Sequence, residues 1–173
     1  MSRRAVIITA QGFQDEEYIY PYYRLIEAGF SVDVATKDKA PAFGKFGVPA
    51  RPTMRTEDLR ASDFDLVVLP GGFEAPDRVR LLPEVQEFIR EMDARKKLIA
   101  AICHGPWILI SAGVARGRKM TAYWSIEADV RNSGADYRHK VPVVRDGNII
   151  TSPHYNNNGD FMRAVIGYFE ESR

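Results

Sequence analysis

The chain contains one cysteine, Cys103, and the residues around it have the types and order that nucleophilic attack on a carbonyl requires. The run from Leu98 to Ile102 is apolar without alternation, which reads as a strand buried on both faces. Gly105-Pro106 followed by Trp107-Ile-Leu-Ile110 reads as a helix that begins at once. A thiol at that corner projects from a tight turn toward the positive end and free N–H donors of the helix, conditions that favour a thiolate. His104 follows directly, and beside the thiol it is a candidate base or backbone oxyanion donor, the alternative being a structural histidine. Adjacent side chains on a turn normally point apart, so the spacing does not imply a Cys103–His104 contact, and as a base His104 would need an orienting acid.

Two further segments carry matching chemistry. In Gln11-Gly-Phe-Gln-Asp-Glu-Glu17, Asp15 is a candidate helix cap and the acids suit the first turn of a helix. Pro21 lacks the N–H that would bond the Glu17 carbonyl, so the first turn is distorted there and Glu17 is a candidate for pointing inward. A carboxyl beside a thiol shares a proton with it or raises its pKa, which makes Glu17 a candidate protonated donor or shuttle, against the plainer reading of helix-start stabilisation. In Leu69-Pro-Gly-Gly-Phe73, two glycines at the end of an apolar run permit positive φ, and the Gly72 N–H, with that of His104, is a candidate oxyanion donor; an ordinary turn is the alternative.

These residues need a scaffold that gathers loops. Ala5 to Thr9, Val32 to Ala35, Leu66 to Leu69 and Leu98 to Ile102 alternate with segments of helical period, a βαβ rhythm whose loops meet beyond the carboxyl ends of the strands. Ile19, Tyr22, Tyr23 and Ile26 predict the packed face of the first helix, with Gly29 as its stop. Val85, Phe88, Ile89 and Met92 predict the packed face of a later helix, and Phe161, Met162, Val165, Ile166 and Phe169 that of the last. Val143 to Ile150 reads as two short strands turning at Asp146-Gly147, an antiparallel annex. Residues 37–54, rich in Pro and Gly, form the longest irregular stretch. The sum is α/β, a three-layer α/β/α sandwich with a mostly parallel sheet and a small antiparallel hairpin, expected as one domain over residues 1–173.

Composition narrows the function. Lys plus Arg number 24 against 23 Asp plus Glu, a formal charge of +1, so no strong field favours nucleic acid or an anionic membrane, and the expected partner is a small molecule or another protein. Arg3 and Arg4 lead only into Ala5-Val-Ile-Ile8, too short for a signal-peptide core or a membrane span, and a cytoplasmic location is the expectation. One cysteine excludes an internal disulfide, and with three histidines no metal site and no cofactor are expected.

Cys-His-Gly-Pro at 103–106, Pro-Gly-Gly at 70–72, Ala75-Pro-Asp-Arg-Val-Arg80 and Glu17-Tyr-Ile-Tyr-Pro-Tyr-Tyr-Arg-Leu25 together resemble the PfpI-type intracellular protease family, part of the superfamily that holds the parkinsonism-associated deglycase and class I glutamine amidotransferase domains. Ile110-Ser-Ala-Gly-Val114 and Asp146-Gly-Asn-Ile-Ile-Thr-Ser152 extend the resemblance over nearly the whole chain. It implies a flavodoxin-like sandwich, a reactive Cys103, a partner carboxyl at Glu17 and oxyanion N–H groups from Gly72 and His104. It also implies a homo-oligomer in which Asp77 orients the histidine of a neighbouring subunit; the alternative is that Asp77 caps a short helix starting near Arg78. Tyr123 and Trp124 match aromatics near the family's pocket mouth, while Glu74 looks inserted, and Thr151 to Asp160, with His154 and three asparagines, departs from the commoner Ser-Arg form and is placed at the pocket rim.

The activity so implied is that of a cysteine hydrolase: a peptidase or amidase, or a glyoxalase or deglycase acting on dicarbonyls and their adducts. A glutaminase-type triad would use His154 as base, but Tyr155-Asn156 follows it in place of a His-x-Glu pattern. A different class, a stress-protective redox sensor with an oxidisable Cys103 and little turnover, uses the same low-pKa thiol.

Overall fold

The computed structural model describes residues 2–171. Its elements are β1 (Arg4–Ile8), α1 (Asp15–Glu27), β2 (Ser31–Thr36), β3 (Ala42–Phe43), β4 (Pro49–Ala50), β5 (Met54–Arg55), β6 (Leu66–Leu69), α2 (Glu74–Val79) and α3 (Pro83–Ala94). They continue as β7 (Leu98–Ile102), α4 (Pro106–Ala112), β8 (Lys119–Met120), α5 (Glu127–Asn132), β9 (Asp136–Tyr137), β10 (Val144–Asp146), β11 (Ile149–Ser152) and α6 (Asn158–Glu170). The central sheet has the order β10-β11-β7-β6-β1-β2-β5, and every pairing in it is parallel except β10 with β11.

Strand side chains alternate between two apolar layers, as a sheet covered on both faces demands. Val6, Ile8, Val67, Leu69, Ile99 and Ala101 meet Val85, Phe88, Ile89 and Met92 of α3 and Ile108 and Leu109 of α4. Ala5, Ile7, Leu66, Val68, Ala100 and Ile102 meet Tyr18 and Leu25 of α1 and Phe161, Met162, Val165 and Phe169 of α6. This is the flavodoxin-like three-layer sandwich expected from the sequence. No helix among the described residues is long and apolar enough to cross a membrane.

Three local expectations need correction. The buried face of α1 carries Asp15, Glu17, Tyr18, Pro21 and Leu25, whereas Tyr23 is 62% exposed and Ile26 45%. Of the four residues predicted to pack, Ile19 and Tyr22 lie partly buried against the core while Tyr23 and Ile26 face solvent, because the inward side of this helix is shared with polar site residues. Asp15 does not cap α1: the N-cap is Gln14, and the Asp15 carboxylate accepts the N–H groups of Phe46 and Val48, both at 2.9 Å. The hairpin is integral to the sheet, because β11 pairs in parallel with β7, and its turn is Gly147-Asn148, one residue later than read. Within residues 37–54, β3 pairs antiparallel with β4.

Candidate active site

Cys103 stands at the turn between β7 and α4 with φ +62°, a left-handed conformation that costs a side-chain-bearing residue about 1 kcal/mol and survives only where neighbours fix it. Here they do. The Cys103 N–H donates to Ser152 O at 2.9 Å, its carbonyl accepts from Tyr123 N–H at 2.9 Å, and Gly105 N–H closes the turn onto Ile102 O at 2.8 Å. The sulfur lines a cavity of about 540 Å³, although the residue is only 6% exposed. The corner predicted from Gly105-Pro106 is present, with Pro106 in the first turn of α4.

Glu17 reaches the thiol from the other side. Its side chain is fully buried, and Oε1 accepts the Gly71 N–H at 2.9 Å. Oε2 has no hydrogen-bond partner of ordinary geometry, and the Cys103 sulfur stands beside the carboxyl. A Cβ on Gly71 would lie 2.6 Å from the Cys103 Cβ and overlap Glu17 Oε1, so the three residues interlock. Burial pushes the Glu17 carboxyl up to about 8, outweighing the lowering by Gly71 and Cys103, so the proton stays on it at neutral pH.

The Cys103 thiol is raised as well, first by burial and then by the Glu17 charge, against the lowering action of the Gly72 and His104 N–H groups. The sequence expectation of a simply depressed thiol is therefore corrected: α4 has only seven residues, and desolvation dominates. A protonated Glu17 removes the opposing charge and turns the carboxyl into a donor toward sulfur. Both backbone donors converge on the sulfur, and Gly72 achieves this at φ +82°, in a space where a Cβ would lie 2.6 Å from Gly12 O.

His104 does touch its neighbour: Nδ1 lies 3.2 Å from Cys103 Sγ, because the positive φ at Cys103 turns the two side chains to the same side. Nε2 lies 3.3 Å from Ser125 Oγ, so a hydroxyl orients the ring in place of a carboxylate. Burial, assisted by the charge of Lys45 and opposed by Asp129, pushes the imidazole down to about 4 and keeps it neutral. Asp77 is exposed in the middle of α2, which begins at Glu74, so it does not cap a helix near Arg78. It has no bond to His104 of its own chain.

The rim is aromatic. Tyr123 stacks on His104 with centroids 5.1 Å apart, and His154 lies 6.0 Å from Tyr123, 5.7 Å from Trp124 and 3.9 Å from Tyr155. His154 Nδ1 accepts the Asn156 N–H at 3.2 Å, which commits that nitrogen to its own loop. Gln14, Lys45, Phe46, Phe73 and Ser125 also line the cavity, and none was singled out from the sequence. Only the glycines flanking Lys45 and Phe46 hinted that this loop is held closely. No group of three or more His, Cys, Asp or Glu among the described residues is gathered for a metal.

Comparison with known proteins bears on the family and the fold. The chain is 40% identical to the Deglycase PfpI of Pyrococcus furiosus over 94% of its own length and 97% of that protein's. It superposes on Drosophila melanogaster DJ-1beta with a TM-score of 0.89 at 33% identity, covering 96% of this chain and 89% of that one. It also superposes, with a TM-score of 0.94 at 36% identity over 98% of its length, on a two-domain Anabaena variabilis protein containing DJ-1/ThiJ/PfpI-like and ferritin-like domains, spanning about half (48%) of that chain. The DJ-1/PfpI family model matches residues 3–167, and the chain belongs to the DJ-1/PfpI family.

Proposed function

We propose that the protein is a cysteine-dependent hydrolase of the deglycase kind, acting on carbonyl compounds and their adducts through Cys103. The observation that carries this reading is the position of the Cys103 sulfur between the Glu17 carboxyl and the N–H groups of Gly72 and His104, with His104 Nδ1 at 3.2 Å. The sulfur adds to the carbonyl carbon as the π pair moves to oxygen. That oxygen settles against the Gly72 and His104 N–H groups and takes a proton from the Glu17–thiol pair. The C–N bond of the adduct then breaks with its pair on nitrogen, which takes the C–OH proton as the carbonyl re-forms. Water attacks the sulfur-bound carbon, and the neutral His104, steadied by Ser125, takes a proton from that water and returns it to sulfur as the S–C bond breaks. Relatives named deglycases at this level of identity support the carbonyl adduct as substrate over a plain peptide bond.

Cys103→Ala should abolish consumption of methylglyoxal and release of amines from methylglyoxal-treated amino acids. Peptidase turnover should vanish with them. A Cys103→Ala rate equal to wild type in either carbonyl assay sinks the reading.

A further inference from the structure

The loop between β3 and β4 is tied to the stretch ahead of α1 more firmly than a surface turn requires. The buried Asp15 carboxylate accepts the Phe46 and Val48 N–H groups, Gly12 N–H donates to Phe43 O, and Lys45 N–H donates to Phe13 O, all at 2.9 Å. A Cβ on Gly44 would overlap the Asp15 carboxylate, so only glycine lets the loop lie this close. From that backbone, the Lys45 side chain crosses the Phe73 ring, with Nζ 4.7 Å from its centroid and 3.3 Å from Gln14 Oε1. Both partners line the cavity that holds Cys103. A lysine held at its backbone and at its ammonium is a positioned charge, unlike one free to spread over many rotamers.

Two carboxylates act on the cavity's histidines without lining it, Glu16 on His154 and Asp129 on His104, so Lys45 is the charge that a bound group meets directly. Burial disfavours the charged forms of His104 and His154, and the other lining groups are aromatic, amide, hydroxyl, thiol or backbone. Among the described residues that line the cavity, Lys45 alone carries a fixed charge. The nearby Glu16 carboxylate is engaged with Gln14 Nε2 at 2.7 Å. A single fixed cation on the wall of the aromatic cavity that also holds the sulfur favours an anionic group on whatever the sulfur attacks.

We infer that Lys45 sets substrate specificity, and that the site prefers carbonyl compounds bearing a carboxylate next to the reacting carbon, such as α-oxo acids, over neutral carbonyls of the same size. The inference rests on the reading of Cys103 as the nucleophile. With an α-oxo acid the S–C bond forms, the π pair passes to oxygen and oxygen takes one proton from the Glu17–thiol pair. The carboxylate remains paired with the Lys45 ammonium.

Iodoacetate and iodoacetamide test this directly, being nearly equal in size and differing in charge. In both, sulfur attacks the methylene, an S–C bond forms and iodide leaves with its bonding pair. Intact mass follows the reaction on the sole cysteine. At pH 7 the iodoacetate-to-iodoacetamide rate ratio, divided by the same ratio for free cysteine, should exceed one in the wild type. It should fall by roughly fivefold or more in Lys45→Gln and recover largely in Lys45→Arg, as expected for one charge acting at close range. Glyoxylate should protect the thiol from iodoacetamide at lower concentration than methylglyoxal does, and that difference should disappear in Lys45→Gln. A wild-type ratio below that of free cysteine, or a high ratio that Lys45→Gln leaves intact, overturns the inference while Cys103 remains a nucleophile. No reaction with either reagent removes the underlying reading of Cys103 instead.

Discussion

At the scale of single residues, the site depends on a carboxyl that keeps its proton. Glu17 has an ordinary value of 4.5 when unfolded and about 8 when folded, so folding becomes costlier as pH rises between the two. The stability associated with the protonated form is complete below about 4.5 and is lost by the time pH passes about 8. For this fully buried group the loss is on the order of 4–5 kcal/mol. Glu17→Gln keeps an acceptor for the Gly71 N–H and cannot ionise. Urea unfolding should find it close to wild type at pH 5 and more stable by several kcal/mol at pH 9, while its carbonyl turnover falls at least tenfold because no proton is left to donate. An equal loss of stability in both proteins between these pH values would mean that Glu17 ionises freely in the fold.

At the scale of elements, the sequence disclosed those whose role is local. The two-faced apolar runs of β1, β6 and β7, and the helical period of α3 and α6, follow from burial within one element, and the Cys103 corner follows from its own neighbours. What escaped were contacts between distant stretches. Asp15 looks like a helix-start acid because its partners, Phe46 and Val48, lie 31 and 33 residues away. Ser125 offers no local signal, since only the fold brings it to His104. Of the predicted α1 face only Ile19 and Tyr22 pack, because the inward side is partly polar, shaped by Glu17 and the loop clamp. That clamp makes its own prediction. Asp15→Asn leaves a single acceptor oxygen for two backbone donors, so the 44–48 loop should loosen, with a loss of about 1–3 kcal/mol in thermal or urea unfolding. Faster amide hydrogen exchange at Phe46 and Val48 should accompany it, while exchange in β6 and β7 stays slow. Unchanged exchange at those two amides would show that the loop is held by its other contacts.

At the scale of the whole molecule, the question is whether one chain makes a complete site. Among the described residues, the Ser125 hydroxyl meets His104 Nε2, Cys103 Sγ meets Nδ1 and the Tyr123 ring stacks on the imidazole, whereas Asp77 stands exposed on α2 with no bond to that histidine. The family resemblance implies a homo-oligomer in which Asp77 reaches the histidine of another copy, and that expectation makes a measurable demand. Cys103→Ala and Asp77→Asn would each lower turnover, but they would damage different subunits of the same site. A subunit carrying Asp77→Asn keeps its thiol and borrows Asp77 from a Cys103→Ala neighbour. Equal mixing with exchange of subunits in a two-fold assembly would therefore return about a quarter of wild-type activity, since half of the pairs are mixed and each mixed pair holds one intact site. Should the mixture show no more than the average of the two variants, Asp77 acts within its own chain or not at all, and His104 is oriented without a carboxylate from another copy.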